Sequence, residues 1–94
     1  MRYGWHHGKA ARNLEVHHVA FEAVYDFDWS RALVRADTRF DYGEVRMNAL
    51  APIGDRLHHL TFTVERRMVW VISLRKASNK EIDRYEAEIA TKYP

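Results

Sequence analysis

VWVISLRKASNKEIDRY, running from Val69 to Tyr85, passes from strand to helix within one short turn. The β-branched and aromatic run as far as Leu74 suits a pleated strand. Ser78-Asn79-Lys80-Glu81 has the Ser-x-x-Glu spacing of a capping box, in which the Ser hydroxyl accepts from a first-turn amide and the Glu reaches back to the cap amide. Between strand and helix stand two cations, Arg75 and Lys76. Residues 66–84 carry six Lys/Arg against two acids, a local balance of +4, which leaves the rest of the chain at −2. Lys80 falls in the first helical turn, where the macrodipole is already positive, and an anionic partner at this corner would relieve that conflict.

Working outward, four strands are expected at about Ala32–Ala36, Glu44–Leu50, Leu57–Glu65 and Met68–Leu74, with Gly43 and Gly54-Asp55 at the breaks. The connections are too short for parallel crossovers, so an antiparallel meander follows. Upstream, helical spacing predicts a first helix from His7 to about His17 and a second, short one over Ala20–Phe27. The fold class is therefore α+β: two N-terminal helices, a four-stranded antiparallel sheet and a C-terminal helix that starts at Ser78. Strict alternation places Met68, Trp70, Ile72 and Leu74 on one face of the last strand and Val69, Val71, Ser73 and Arg75 on the other. It places Leu60 and Phe62 opposite Thr61 and Thr63, and Met47 and Ala49 opposite Arg46 and Asn48. One face is then apolar and helix-covered; the other is a polar floor.

Composition excludes several classes. The 94 residues suit one domain, 1–94, with no repeat. No apolar run approaches a membrane span and no signal-peptide core is present, so a cytoplasmic protein is expected. The absence of Cys removes disulfides, thiolate zinc sites and cysteine nucleophiles. A net charge of +2 is too small to demand nucleic acid by itself, and the local cluster must carry that reading.

Arg75 and Lys76, at a strand end above a polar floor, can hold a phosphodiester through guanidinium contacts or form a solvated basic turn. Arg46 and Ser73 belong to the same floor, although Arg46 can also pair with Glu44 or Glu65. Lys9, Asn13 and His17, at i, i+4 and i+8, make a stripe along one side of the first helix, suited to the edge of a cleft. His17 is the natural proton-transfer group, since an unperturbed imidazole titrates at about 6.5. Glu81 serves the cap or, close to Arg75, the chemistry. Tyr85 shares an apolar face with Ile82 and Ile89, and its hydroxyl can emerge toward the cleft. The pairs His6-His7 and His17-His18 lie eleven residues apart, about 16 Å along a helix, beyond one coordination sphere. No metal and no cofactor are expected.

Three separated motifs now make the chain resemble the BrnT family, ribonuclease toxins of type II toxin–antitoxin modules with a fold similar to RelE toxins. They are Ile72-Ser73-Leu74-Arg75-Lys76-Ala77 followed by Glu81 and Tyr85; Tyr3, Trp5, Lys9, Asn13, His17, Val19 and Phe21-Glu22; and Tyr42-Gly43-Glu44-Val45-Arg46. The resemblance implies RNA cleavage with Arg75, Lys76, His17, Tyr85 and Glu81 as catalytic candidates and Lys9, Asn13, Arg46, Ser73 and Lys80 as RNA contacts. It further implies a ribbon-helix-helix, BrnA-like antitoxin, with operator DNA bound only through that partner. The chain departs from the family pattern at His6, where Asp is usual, at Val16 in a Lys-His-Gly triplet, and at Trp70, where Arg is common. The alternative is a catalytically weakened or inactive module that acts through its partner.

Overall fold

The structure, a computed structural model, describes residues 1–38 and 43–92. Its strands are β1 (Arg2–Gly4), β2 (Leu33–Asp37), β3 (Arg46–Ile53), β4 (Arg56–Glu65) and β5 (Met68–Lys76). Helix α1 spans His7–His17 and α2 spans Asn79–Lys92, and two short 3-10 helices cover Phe21–Asp26 and Trp29–Arg31. The sheet order is β1-β5-β4-β3-β2. The expected meander is present as β2 to β5, but the sheet has a fifth strand, because β1 pairs in parallel with Met68–Trp70. Three residues carry too little alternation to be read as a strand, and their partner lies more than sixty positions away. The expected second helix is a 3-10 segment, shorter at both ends than the Ala20–Phe27 span.

A second correction concerns β5. Thr61 pairs with Ser73 but Phe62 pairs with Val71, so Ile72 is an extra residue in a β-bulge. The bulge resets the two-residue period. Val69 and Val71 therefore share the core face with Leu74, whereas Trp70 joins Ser73 and Arg75 on the polar face. Buried Val69, Val71 and Leu74 agree with this assignment, against the strict alternation expected from sequence.

The core face carries Ala49, Ala51, Leu60, Phe62, Val71 and Leu74, and it is capped by Phe21, Val24 and Phe27 of the 3-10 region. Trp29 packs edge-on against Phe27 and Phe62, with ring centroids 4.9 and 5.3 Å away. Its indole N–H donates to the Tyr3 hydroxyl at 2.7 Å, which ties β1 to the core. Short aromatic-rich turns thus cover the apolar face, and α1 instead lies along the edge of β5 that β1 leaves open.

On the opposite face, α2 covers one end. Leu50 is fully buried there despite belonging to the polar side of β3, and Tyr85 of α2 is buried as well. Arg35 of β2 forms an ion pair with Glu88 of α2. The other end of that face stays open toward α1.

Two turns explain how the strands stay in register. Ile53 pairs with Arg56 around a two-residue turn whose first position, Gly54, has φ +62°, a conformation that favours glycine. Glu65 pairs with Met68 around Arg66 and Arg67, both left-handed with φ +52° and +63°. At the far edge Gly4 has a different function: a Cβ there would meet Met68 at 2.5 Å and the Trp70 ring at 3.0 Å. Glycine there leaves room for the Trp70 ring and the end of the Met68 side chain, both of which a Cβ would press aside.

Candidate functional site

The stripe on α1 is the starting point. His18 ends the helix in the left-handed conformation, with its N–H donating to Leu14 O at 2.9 Å, so His17 sits in the last turn. Within the stripe Asn13 is buried at 6% exposure. Its amide donates to Leu74 O at 2.6 Å and Val19 O at 2.9 Å and accepts from Leu74 N at 3.1 Å. The side chain thus gives the β5 edge the partner that a neighbouring strand would have given. The expected RNA contact of Asn13 is replaced by a structural role, since its donors are committed to backbone carbonyls.

Anchored there, α1 and the polar end of the sheet enclose two adjoining hollows. The first, about 250 Å³, is lined by Lys9, Arg12, Val16 and His17 on α1 and by Ile72 and Ser73 on β5, with Asn13 at its base. The residues that line it include two permanent cations and an imidazole, and no carboxylate. The second, about 240 Å³, shares Lys9 and Ile72 with the first and extends to His6, Arg46, Thr63, Trp70, Glu44 and Glu65. Arg46 holds Glu44 at 3.3 Å, the pairing anticipated from sequence. His6 and Trp70 stack, with centroids 5.9 Å apart and planes 25° from parallel. The two departures from the family pattern nearest the sheet are therefore one contact.

The Arg75 corner is organised differently from the expectation. Arg75 donates to both carboxylate oxygens of Glu81, at 2.7 and 2.9 Å, a bidentate pair. Glu81 also accepts from Ser78 N at 2.8 Å while Ser78 Oγ accepts from Glu81 N at 3.3 Å, so the capping box is complete. His59 Nε2 stands 3.8 Å from the same carboxylate. Burial tends to raise the Glu81 pKa, but hydrogen bonds from Arg75 and Ser78 outweigh it and hold the carboxyl down at about 2. Glu81 is thus a permanent anion that occupies Arg75.

Arg75 lines neither hollow. Lys76 pairs with His58 across the sheet and so projects to the face opposite Arg75, because adjacent strand residues alternate. The two do not form one clamp. His58, on that opposite face, has its pKa lowered mainly by burial, with Lys76 and Arg56 adding to the effect against a bond to Arg56 O. Tyr85 donates to Arg31 O at 2.7 Å and lines a separate groove of about 540 Å³ between α2 and the β3–β4 turn. Its hydroxyl does not emerge into the basic hollows, because helix α2 packs its Ile82, Tyr85 and Ile89 side toward the β3–β4 hairpin. Lys80 is exposed in the first turn of α2 and lines neither hollow.

Of the ten expected site residues, Lys9, Asn13, His17, Arg46 and Ser73 are brought to the paired hollows, Asn13 as their buried anchor. Sequence reasoning missed Arg12, which follows Lys9 at i+3 and so shares its side of the helix. It also missed the His6–Trp70 contact, which depends on β1 being a strand. Tyr42, quoted with the middle motif, lies outside the described residues. Among the described residues no three His, Asp or Glu side chains gather as a metal site, and no helix is long and apolar enough to cross a membrane.

Comparison with known proteins bears on the fold and the family. No curated protein sequence matches the chain. The crystal structure of the Brucella abortus ribonuclease toxin BrnT is similar, with a TM-score of 0.65 and 25% identity over 84% of this chain and 99% of that one. The family described as "Ribonuclease toxin, BrnT, of type II toxin-antitoxin system" matches residues 5–81, a span that takes in α1, β2 to β5 and the Arg75–Glu81 pair. The chain therefore belongs to the BrnT family of ribonuclease toxins of type II toxin–antitoxin systems.

Proposed function

We propose that this chain is an endoribonuclease that cuts RNA without a metal, and that the reaction takes place in the first hollow. The observation that carries the reading is the grouping of Lys9, Arg12 and His17 against Ser73 in a cleft whose lining holds no carboxylate. Such a cleft attracts a phosphodiester and stabilises charge that develops on its oxygens. His17 removes the ribose 2′-hydroxyl proton, the freed oxygen attacks phosphorus, and the bond to the 5′-oxygen breaks as that oxygen is protonated. A 2′,3′-cyclic phosphate and a 5′-hydroxyl result. DNA, lacking the 2′-hydroxyl, is spared. Arg46 reaches the adjoining phosphate from the sheet. Arg75 and Glu81 act as the clamp that fixes the end of β5 to α2.

Membership of a toxin–antitoxin family implies an antitoxin partner, and we assign it the ribbon-helix-helix class, with operator DNA bound through that partner alone. Covering the basic hollows would silence the chain and neutralise its cations together. A second reading, a module that has lost cleavage and acts by binding its partner, is favoured by the occupation of Arg75 by Glu81.

Incubating the purified protein with RNA in excess chelator separates the two. Cleavage that yields cyclic phosphate ends and falls about 100-fold or more in His17→Gln supports the nuclease, in line with the usual contribution of a proton-transfer group. Intact RNA, or undiminished cleavage by both His17→Gln and Arg12→Ala, overturns it.

A further inference from the structure

The second hollow has a composition that phosphate binding does not explain. Beside Lys9 and Arg46 it presents the stacked His6–Trp70 pair and, on the neighbouring strand, Thr63 and Glu65. A carboxylate next to a phosphate site is costly unless it meets a hydrogen-bond donor. Stacked rings beside a backbone-binding groove provide a platform for bases, since every base has a π-face. The two hollows share Lys9 and Ile72, so a nucleotide whose phosphate occupies the first is directed with its base toward the second.

We infer that the second hollow is a nucleobase subsite that prefers guanine. This rests on the reading of the first hollow as a phosphodiester site. The base continues the His6–Trp70 stack, and Glu65 accepts from its Watson–Crick edge. Guanine alone offers two adjacent donors on that edge, the ring N1–H and the exocyclic amine, which match the two oxygens of one carboxylate. The Thr63 hydroxyl donates to the guanine O6 beside them. Uracil offers one donor between two carbonyl oxygens, and those oxygens are repelled by Glu65. Gly4 borders the same ring, since a Cβ there would meet Trp70 at 3.0 Å and press it aside.

The test is calorimetric titration of the full chain with guanosine 3′-monophosphate and uridine 3′-monophosphate, neither of which can be cleaved. Guanosine monophosphate is expected to bind about tenfold more tightly, a ratio in the range of one good hydrogen-bonded base contact. Glu65→Gln, an exposed position with no part in the core, brings the ratio close to one. Trp70→Ala weakens both ligands about tenfold, the usual scale of a lost stacking contact. Equal affinities in the unmodified chain, or a guanine preference that persists in Glu65→Gln, overturn the assignment. A chain that shows the ratio but leaves RNA intact keeps the base subsite and sinks the nuclease reading. One that cuts RNA without the ratio does the reverse.

Discussion

Replacing Asn13 with Ala would strip three hydrogen bonds from the junction of α1 and β5 and leave the Leu74 amide buried without its partner. Unsatisfied buried groups cost about 1–3 kcal/mol each, so a loss of roughly 3 kcal/mol is expected in urea unfolding, with RNA affinity lowered only through stability. Asn13→Asp should be no better, since a carboxylate cannot donate to Val19 O and Leu74 O. Glu81 sets an acid limit. The unfolded carboxyl takes up its proton near the ordinary 4.5, the folded one only near about 2, so between those values the unfolded state binds more protons. Stability is therefore fully present above about pH 4.5 and drains away as pH falls toward 2, and Glu81→Gln should flatten that limb of a stability–pH curve. His58, with its lowered pKa, loses stability in the same direction but starting near the ordinary 6.5. At this scale the sequence was readable where chemistry is local. The Ser78–Glu81 box needs four adjacent residues and appeared as expected. The duty of Asn13 depends on a backbone amide 61 positions away, and no spacing rule on α1 could separate an edge-binding amide from an RNA-binding one.

Among the elements, the β4–β5 hairpin carries the clearest strain. Arg66 and Arg67 are both left-handed, a conformation that costs an L-residue with a Cβ about 1–2 kcal/mol and that Asn-Gly accepts readily. The double change Arg66→Asn with Arg67→Gly is expected to raise stability by about 1–2 kcal/mol, seen as a higher thermal midpoint. If the turn stays unstrained by some route other than residue type, the midpoint will not move. The same hairpin shows why patterns mislead. Alternation identified every meander strand to within a few residues, yet one inserted residue at Ile72 exchanged the faces of Trp70 and Val71. A bulge leaves no mark on composition. The 3-10 region is a related case: a short helix was expected there, but Phe21, Val24 and Phe27 at spacings of three fit a tighter helix as well as an α-helix.

For the molecule as a whole, charge is concentrated rather than abundant. Lys9, Arg12 and Arg46 converge although the chain carries only +2 overall. Binding of single-stranded RNA should weaken with salt at a slope of about −2 on a log–log plot if these three each displace one counterion, and each Ala substitution should reduce the slope by about 0.7. A slope unchanged in all three variants would place RNA elsewhere on the surface. The fold class and the family were legible from three short motifs, whereas the location of the site was legible only in part. Sequence pointed to the Arg75 corner because cations cluster there along the chain. In space the carboxylate of Glu81 claims that guanidinium, and Lys9 and Arg12 gather instead where the first helix crosses the bulged end of the last strand.

That crossing has a consequence for biosynthesis. Asn13 must wait for Leu74, and the cleft takes one wall from residues near the start of the chain and the other from residues well past its middle. A ribosome-bound chain that has emerged only as far as β4 has one wall and no cleft. On the proposed function, growing polypeptides, and fragments released by interrupted synthesis, cannot cut RNA until β5 has been made and has docked against α1.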